Sequence, residues 1–184
     1  PVVKKIFTAK SVPVVKAISI SGNGPTLVSQ EGKILHWNEY ADSEELLQSE
    51  NEISKTCGKF SHSIFLPRIL LYKKVFESDF EKTDFLFSGP EYLCWKLTGN
   101  VFTVLPEARF ETAYWNKEIL QKLNINSKKI PDFVELGHCF GLLKEEISGY
   151  LDLPSVPVFC IGPDFIAGLI GTDTIEQGTP RDRC

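Results

Sequence analysis

Short apolar runs broken by glycine and proline alternate along this chain with polar stretches of helical period. Val14-Val15-Lys16-Ala17-Ile18-Ser19-Ile20-Ser21 is β-rich and closes on Gly22-Asn23-Gly24-Pro25, which predicts a buried strand ending in a tight loop. Leu27-Val28-Ser29 and Lys33-Ile34-Leu35 flank Gln30-Glu31-Gly32, a hairpin pattern in which glycine supplies the positive φ of the turn. Asp42-Ser43-Glu44-Glu45 before Leu46-Leu47 marks a helix start with acids in its first turn. From Leu66 the period is helical, with Pro67 in the first turn and Ile69, Leu70, Tyr72 and Phe76 as an apolar stripe beside Lys73.

Lys82 to Phe87 reads as a strand running into Ser88-Gly89, and Pro90 to Leu97 as a short aromatic helix stopped by Thr98-Gly99. Within Thr112 to Asn124, Asn116-Lys117-Glu118-Ile119-Leu120-Gln121-Lys122-Leu123 reads as a small amphipathic helix. Modest strands follow near Phe133-Val134 and Cys139 to Leu143, then a helix over Lys144 to Tyr150. The strongest unit comes last: Val156-Pro157-Val158-Phe159-Cys160-Ile161 as a strand, Gly162-Pro163 as a turn, and Asp164 to Gly171 as a small-residue helix. Strands interleaved with helices, without internal repeats, indicate an α/β or α+β domain.

Charge and composition act by exclusion. The 184 residues carry 20 Lys and Arg against 24 Asp and Glu, a net charge of −4, with 42% hydrophobic residues. That is the balance of an ordinary globular domain, and it offers no basic footprint for nucleic acid. The apolar stretch from Val156 to Ile170 is interrupted by Pro157, Gly162, Pro163, Asp164 and Gly168, short of the roughly 20 residues of a bilayer span. Five scattered cysteines with no C-x-x-C pair suggest neither a disulfide framework nor a zinc site, and fit a reducing cytoplasm. The chain opens on Pro1, contains no Met and ends in the polar Thr179 to Cys184, so it is expected to be a piece of a longer protein.

Chemistry is expected where two strands end in polar, glycine-rich turns, at Ser21-Gly22-Asn23-Gly24-Pro25 and at Gly162-Pro163-Asp164-Phe165. In open α/β sheets ligands bind beyond the carboxyl ends of strands. If the two strands lie parallel in one sheet, Asn23 and Asp164 face a common cleft. A carboxylate fixed at a strand–helix junction suits a base that accepts a hydroxyl proton during phosphoryl transfer; the same residue also suits a helix N-cap with no chemical duty. The glycines around Asn23 could admit a polyol to its amide, or simply make a turn. Trp37 with Glu39, and Glu107 after Pro106, add an aromatic wall and acceptors, although each alone is an ordinary surface acid or core indole. His36, His62 and His138 lack metal-ligand spacing and read as structural. Tyr72-Lys73-Lys74 and the acidic run 44–52 read as solvated helix faces.

Taken in order, several segments resemble the FGGY carbohydrate kinases, which phosphorylate sugars and polyols with ATP. Ala17 to Val28 is similar to that family's I-S-G-Q strand and loop, and Phe65 to Tyr72 to its P-K-L-L-W-L helix. Gly89 to Gly99 resembles D-Y-L-x-x-x-L-T-G, Ala113 to Leu120 the W-x-x-E-L-L helix, and Gly162-Pro163-Asp164-Phe165 with Ala167, Gly168 and Gly171 the G-G-x-D-Q-x-x-x-x-G block. The resemblance implies a ribonuclease H-like, actin-like ATPase domain with a mixed central sheet and flanking helices, incomplete at both ends. The whole of residues 1–184 would then be a partial amino-terminal, sugar-binding domain.

The resemblance further implies that Asp164 is the general base and that Asn23, Gly24, Trp37, Glu39, Glu107 and Phe165 contact the sugar. ATP and Mg²⁺ would be held mainly by parts outside this chain, because nothing like the family's D-x-G-T-T phosphate loop occurs between Pro1 and Ser11. Three departures bear on specificity: Asn23 stands for the family's Gln, Phe165 for the Gln after its Asp, and the Trp37 loop has no Arg where the W-x-D-x-R loop does. A non-catalytic carbohydrate-binding or regulatory module, and a structural interaction domain, are the alternatives. An unpaired edge on the strand at Val14 to Ser21 would invite pairing with a second copy.

Overall fold

The computed structural model describes residues 14–172. The stretches 1–11 and 179–184 discussed above lie outside the described residues. The order of elements is β1 (Ile18–Gly22), β2 (Leu27–Ser29), β3 (Ile34–Leu35), α1 (Glu44–Thr56), α2 (Leu66–Val75), α3 (Glu77–Lys82), β4 (Leu86–Ser88), α4 (Gly89–Thr98), β5 (Thr103–Leu105), α5 (Lys117–Lys122), β6 (Phe133–Glu135), β7 (Cys139–Leu142), α6 (Glu145–Leu151), β8 (Pro157–Pro163) and α7 (Asp164–Gly171), with short 3₁₀ turns between.

The expected mixed sheet is present and small. Its three strands run β1-β8-β7, with β1 parallel and β7 antiparallel to β8. Strand β8 is central, which accounts for its unbroken apolar sequence: α4 and α7 pack against it, and Val158 and Cys160 are buried. Strand β1 stands at the edge of this sheet among the described residues. Two further small sheets, β3-β2-β4 and β5-β6, replace the single sheet that the sequence suggested. The β2–β3 hairpin forms as expected, with Gly32 at φ 91° in its turn.

Two clusters of buried side chains hold these layers. The larger gathers Leu27 and Leu35 of the hairpin, Leu46 and Ile53 of α1, Leu66, Ile69, Leu70, Leu71 and Tyr72 of α2, and the aromatic residues Phe65, Tyr114 and Trp115. The smaller lies on the β1-β8-β7 sheet and contains Cys94, Val104, Phe140, Leu143, Val158 and Cys160. Each fully buried Leu, Phe or Ile contributes about 1.5–3 kcal/mol against its exposed state. The buried thiols of Cys57, Cys94 and Cys160 are free and act as small apolar groups.

Two expectations differ from what is seen, and a third is met. Helix α2 is buried around its whole circumference from Leu66 to Tyr72, Arg68 included, rather than split into an apolar and a basic face. Tyr72 in particular is 0% exposed, and its hydroxyl donates to Asp79 Oδ2 at 2.7 Å. The reason is that α2 runs between α1 and the β2 hairpin rather than along the surface. The 82–87 segment is the end of α3 followed by a strand of only three residues, Leu86–Ser88. The small helix expected over Asn116 to Leu123 is present as Lys117–Lys122, with the Asn116 side chain accepting from Ile119 N at 2.9 Å as its cap.

Candidate functional site

The parallel β1–β8 ladder brings together the two turns that the sequence singled out. Ile18 pairs with Val158 and Ile20 with Cys160; a bulge then shifts the register, so that Ser21 opposes Gly162 and Gly22 opposes Pro163. Gly162 occupies φ 78°, a conformation open to glycine and strained for other residues. Ser21 Oγ donates to Gly162 O at 3.2 Å and ties the two strand ends. As a result the Asn23 amide Nδ2 lies 3.5 Å from Asp164 Oδ2. At that length the contact signifies adjacency more than a strong hydrogen bond. Asp164 is exposed to solvent here and Asn23 is half-buried.

Asp164 is not the helix N-cap. Pro163 takes that place and Asp164 is the first residue of α7, with Oδ1 accepting from Phe165 N at 2.9 Å. Its second oxygen is the one that meets Asn23. The carboxylate is therefore held by one oxygen and presents the other to the turn. Phe165 is 42% exposed and stands edge-on to Phe110 with ring centroids 6.3 Å apart. That contact places the 3₁₀ segment Ala108–Ala113 beside the start of α7. Glu107 precedes the segment, and its carboxylate accepts from Arg109 at 2.8 Å.

Gly24 is required for the approach of the two turns. A Cβ there would sit 2.9 Å from both Cβ and Cγ of Pro163, and a proline ring cannot swing aside. Gly24→Ala is expected to destabilise the fold by about 1–3 kcal/mol, read as a lowered Tm of the full-length protein; an unchanged Tm would mean that the turns are not packed this closely.

On the other side of the Asn23 turn opens a cleft of about 370 Å³ whose wall includes Gly22, Asn23, Thr26, His36, Pro90 and Tyr92. The Trp37 loop borders it. Trp37 is 55% exposed, and its backbone N–H donates to Thr26 Oγ1 at 3.1 Å. Glu39 turns its carboxylate back into its own loop, accepting from His36 N at 2.9 Å. The carboxylate predicted to face a sugar is thus also a loop brace. Asn23, Gly24, Asp164 and Phe165 form one group, Trp37 and Glu39 join it through Thr26, and Glu107 through Phe110.

Two residues that the motifs did not single out support this arrangement. Arg68 of α2 is 5% exposed and donates to the carbonyls of Glu39, at 2.7 Å, and of His36. Glu91 of α4, 2% exposed, accepts from Val104 N at 2.8 Å and from Ser88 N at 3.3 Å. Burial pushes its pKa up from the ordinary carboxylate value of 4.5 to about 7, against the pull of those hydrogen bonds. A signal existed for both, since Arg68 interrupts the apolar run Phe65 to Tyr72 and Glu91 is the one acid in the helix that Pro90 opens. Among the described residues no three His, Cys, Asp or Glu side chains are placed to hold a metal ion. No helix among them is long and apolar enough to cross a membrane.

No family model matches the chain. Its relatives are nevertheless uniform in kind. The chain is 27% identical over 184 residues to a xylulose kinase of Staphylococcus xylosus, covering 87% of this chain and 37% of the relative. It is 29% identical over 161 residues to a rhamnulokinase of Ligilactobacillus salivarius, covering 79% and 33%. Among solved structures, a xylulose kinase from Lactobacillus acidophilus superposes with a TM-score of 0.72 at 18% identity, over 93% of this chain and 39% of that one. Glycerol kinase of Plasmodium falciparum, solved with ADP, superposes with a TM-score of 0.67 at 22% identity, over 92% and 38%.

The chain therefore has the actin-like fold of the FGGY-type carbohydrate kinases, and the likeness read from its motifs extends to sequence relatives of the same kind. It spans 33% to 37% of the length of the two curated relatives described.

Proposed function

We propose that the full-length protein phosphorylates a hydroxyl of a sugar or polyol at the expense of ATP, and that residues 1–184 are part of its sugar-binding domain. Asp164 accepts the hydroxyl proton as the oxygen attacks the terminal phosphoryl group of the donor nucleotide. Asn23 orients the sugar beside that carboxylate, using an amide that both donates and accepts. The backbone of Gly24 admits it closely, and Trp37, Glu39, Glu107 and Phe165 line its other sides. Mg²⁺ and the nucleotide are held by residues outside those described.

The observation that carries this reading is the meeting of the Asn23 amide and the Asp164 carboxylate at the carboxyl ends of two parallel strands. Relatives with kinase names in three substrate classes, xylulose, rhamnulose and glycerol, add weight to the reaction class. The same adjacency disfavours a structural domain whose resemblance is accidental, for which the two residues had no reason to meet. The test is to assay the full-length protein for ADP release with D-xylulose, L-rhamnulose and glycerol in turn, beside calorimetric titration of each. Turnover with one of them is expected. Binding without turnover would favour a carbohydrate-binding module instead.

A further inference from the structure

Arg68 stands out among the buried groups because its surroundings give a charge so little in return. Its helix turn is otherwise apolar, from Leu66 to Tyr72, and every residue in it is buried. No carboxylate among the described residues lies within ion-pair distance of it, the Glu39 carboxylate attracts it only from farther off, and its Nε–H has no partner among them. A guanidinium in such a place forfeits hydration, and an apolar side chain of similar length would pack there at no such cost. What the guanidinium does make is a fork of two hydrogen bonds, to the carbonyls of His36 and Glu39. Those carbonyls bracket Trp37 and Asn38, so the fork pins both ends of one turn of backbone.

That turn has little else to fix it. Trp37 and Tyr40 are both exposed, and Tyr40 sits at φ 60°, which is unfavourable for an aromatic residue. The remaining ties are Trp37 N to Thr26 Oγ1, His36 N to the Glu39 carboxylate, and Glu39 N to His36 O at 3.1 Å. The last two are internal to the turn and move with it. Among the described residues its side-chain hydrogen bonds to the body of the domain come from Thr26, which belongs to the same surface turn as Asn23, and from Arg68; the turn also leaves strand β3 at the buried Leu35. Arg68 is therefore a rigid anchor beyond the strand, carried on a helix buried on all sides.

The geometry points to Arg68 as a positioning residue: its guanidinium holds the His36–Glu39 turn, and with it Trp37, at the edge of the cleft that His36 and Asn23 line, where Trp37 serves affinity for the sugar. The inference rests on the sugar-site reading above for its functional part, and on hydrogen bonding alone for its structural part. Here the cation braces the loop from beneath, through its backbone, rather than extending from the loop to the hydroxyls.

The test uses Arg68→Met and Arg68→Lys in the full-length protein labelled with 5-fluorotryptophan, the ¹⁹F resonance of Trp37 being assigned with Trp37→Phe. Arg68→Met is expected to keep or raise the Tm, because a desolvated charge is exchanged for an apolar chain of similar length. It should also move the Trp37 resonance toward that of the free amino acid. KM for the sugar that the wild type turns over should rise about 10- to 100-fold, with kcat within about threefold, as for a displaced contact that does not act on the reacting atoms. Arg68→Lys, which keeps a donor but not the fork, should fall between.

An unchanged Trp37 resonance and KM in a folded Arg68→Met protein would overturn the inference, as would a loss confined to kcat. If Arg68→Met does not fold, Arg68→Lys decides by the same two readouts. If the wild type turns over none of the three probes, the sugar-kinase reading fails, and the Trp37 resonance alone then decides whether Arg68 positions the loop.

Discussion

Asp164→Asn in the full-length protein is expected to lower kcat for sugar phosphorylation by about 10²–10⁴-fold, the usual contribution of a positioned proton acceptor. KM for the sugar should change by less than about threefold, because the interaction removed is made in the transition state. The substitution is a clean one. Asn keeps an oxygen that can accept from Phe165 N, the bond made now at 2.9 Å, so the first turn of α7 retains its brace. What disappears is the ability of the second oxygen, beside the Asn23 amide, to take a proton. Steady-state assays over a range of sugar concentrations separate the two constants. A variant retaining more than a tenth of wild-type kcat would show that the hydroxyl proton goes elsewhere.

Glu91 should set the pH dependence of stability in this domain. Its pKa in the fold is about 7, raised from 4.5 by burial. Below pH 4.5 it is protonated in both folded and unfolded chains and contributes no pH dependence. As pH rises from there to 7, the unfolded chain releases its proton while the fold retains one, so stability falls. The fall is about 3 kcal/mol over that window and stops above it. Glu91→Gln cannot ionise and should show a flat profile across the same range, apart from other groups.

The amide pays a separate and constant cost. Its NH₂ cannot accept from Ser88 N or Val104 N as the second carboxylate oxygen does, and one unsatisfied buried donor costs about 1–3 kcal/mol. Denaturant unfolding followed by tryptophan fluorescence at several pH values measures both effects, since Trp95 lies on the same helix as Glu91. Parallel pH profiles for wild type and variant would mean that Glu91 does not retain its proton in the folded state.

Much of this was legible in the order of residues, for reasons that differ by element. The β2–β3 hairpin is fixed locally by the turn at Gly32, and α4 is fixed by Pro90 at its start and by Gly99, at φ 88°, after its end. The join of strand β8 to helix α7 was visible because a central strand must be apolar on both faces and then break. Strand β5, Thr103–Leu105, went unseen because three residues carry no period, and its partner Phe133–Glu135 lies far along the chain. Tyr72 was misplaced because amphipathic spacing describes a helix with one wet side, and α2 has none between Leu66 and Tyr72.

At the site, the pairing of Asn23 with Asp164 followed from a general rule about strand ends. Arg68 and Glu91 were missed because a motif records which side chains point at a ligand, and these two point at backbone. The alternative of Asp164 as a helix cap is not met: Pro163, with no N–H to satisfy, occupies that place.

The bond between Ser21 and Gly162 joins residues 141 positions apart. Such a closure is entropically slow, since the chain must search a wide volume before the ladder rewards it. On a ribosome, the polypeptide must have emerged well past residue 164 before anything resembling a binding crevice exists, and the helical layer built from Leu66 to Val75 has ample time to consolidate first. The juxtaposition of the Asn23 and Asp164 turns is thus a late event relative to the helical layer that precedes it along the chain.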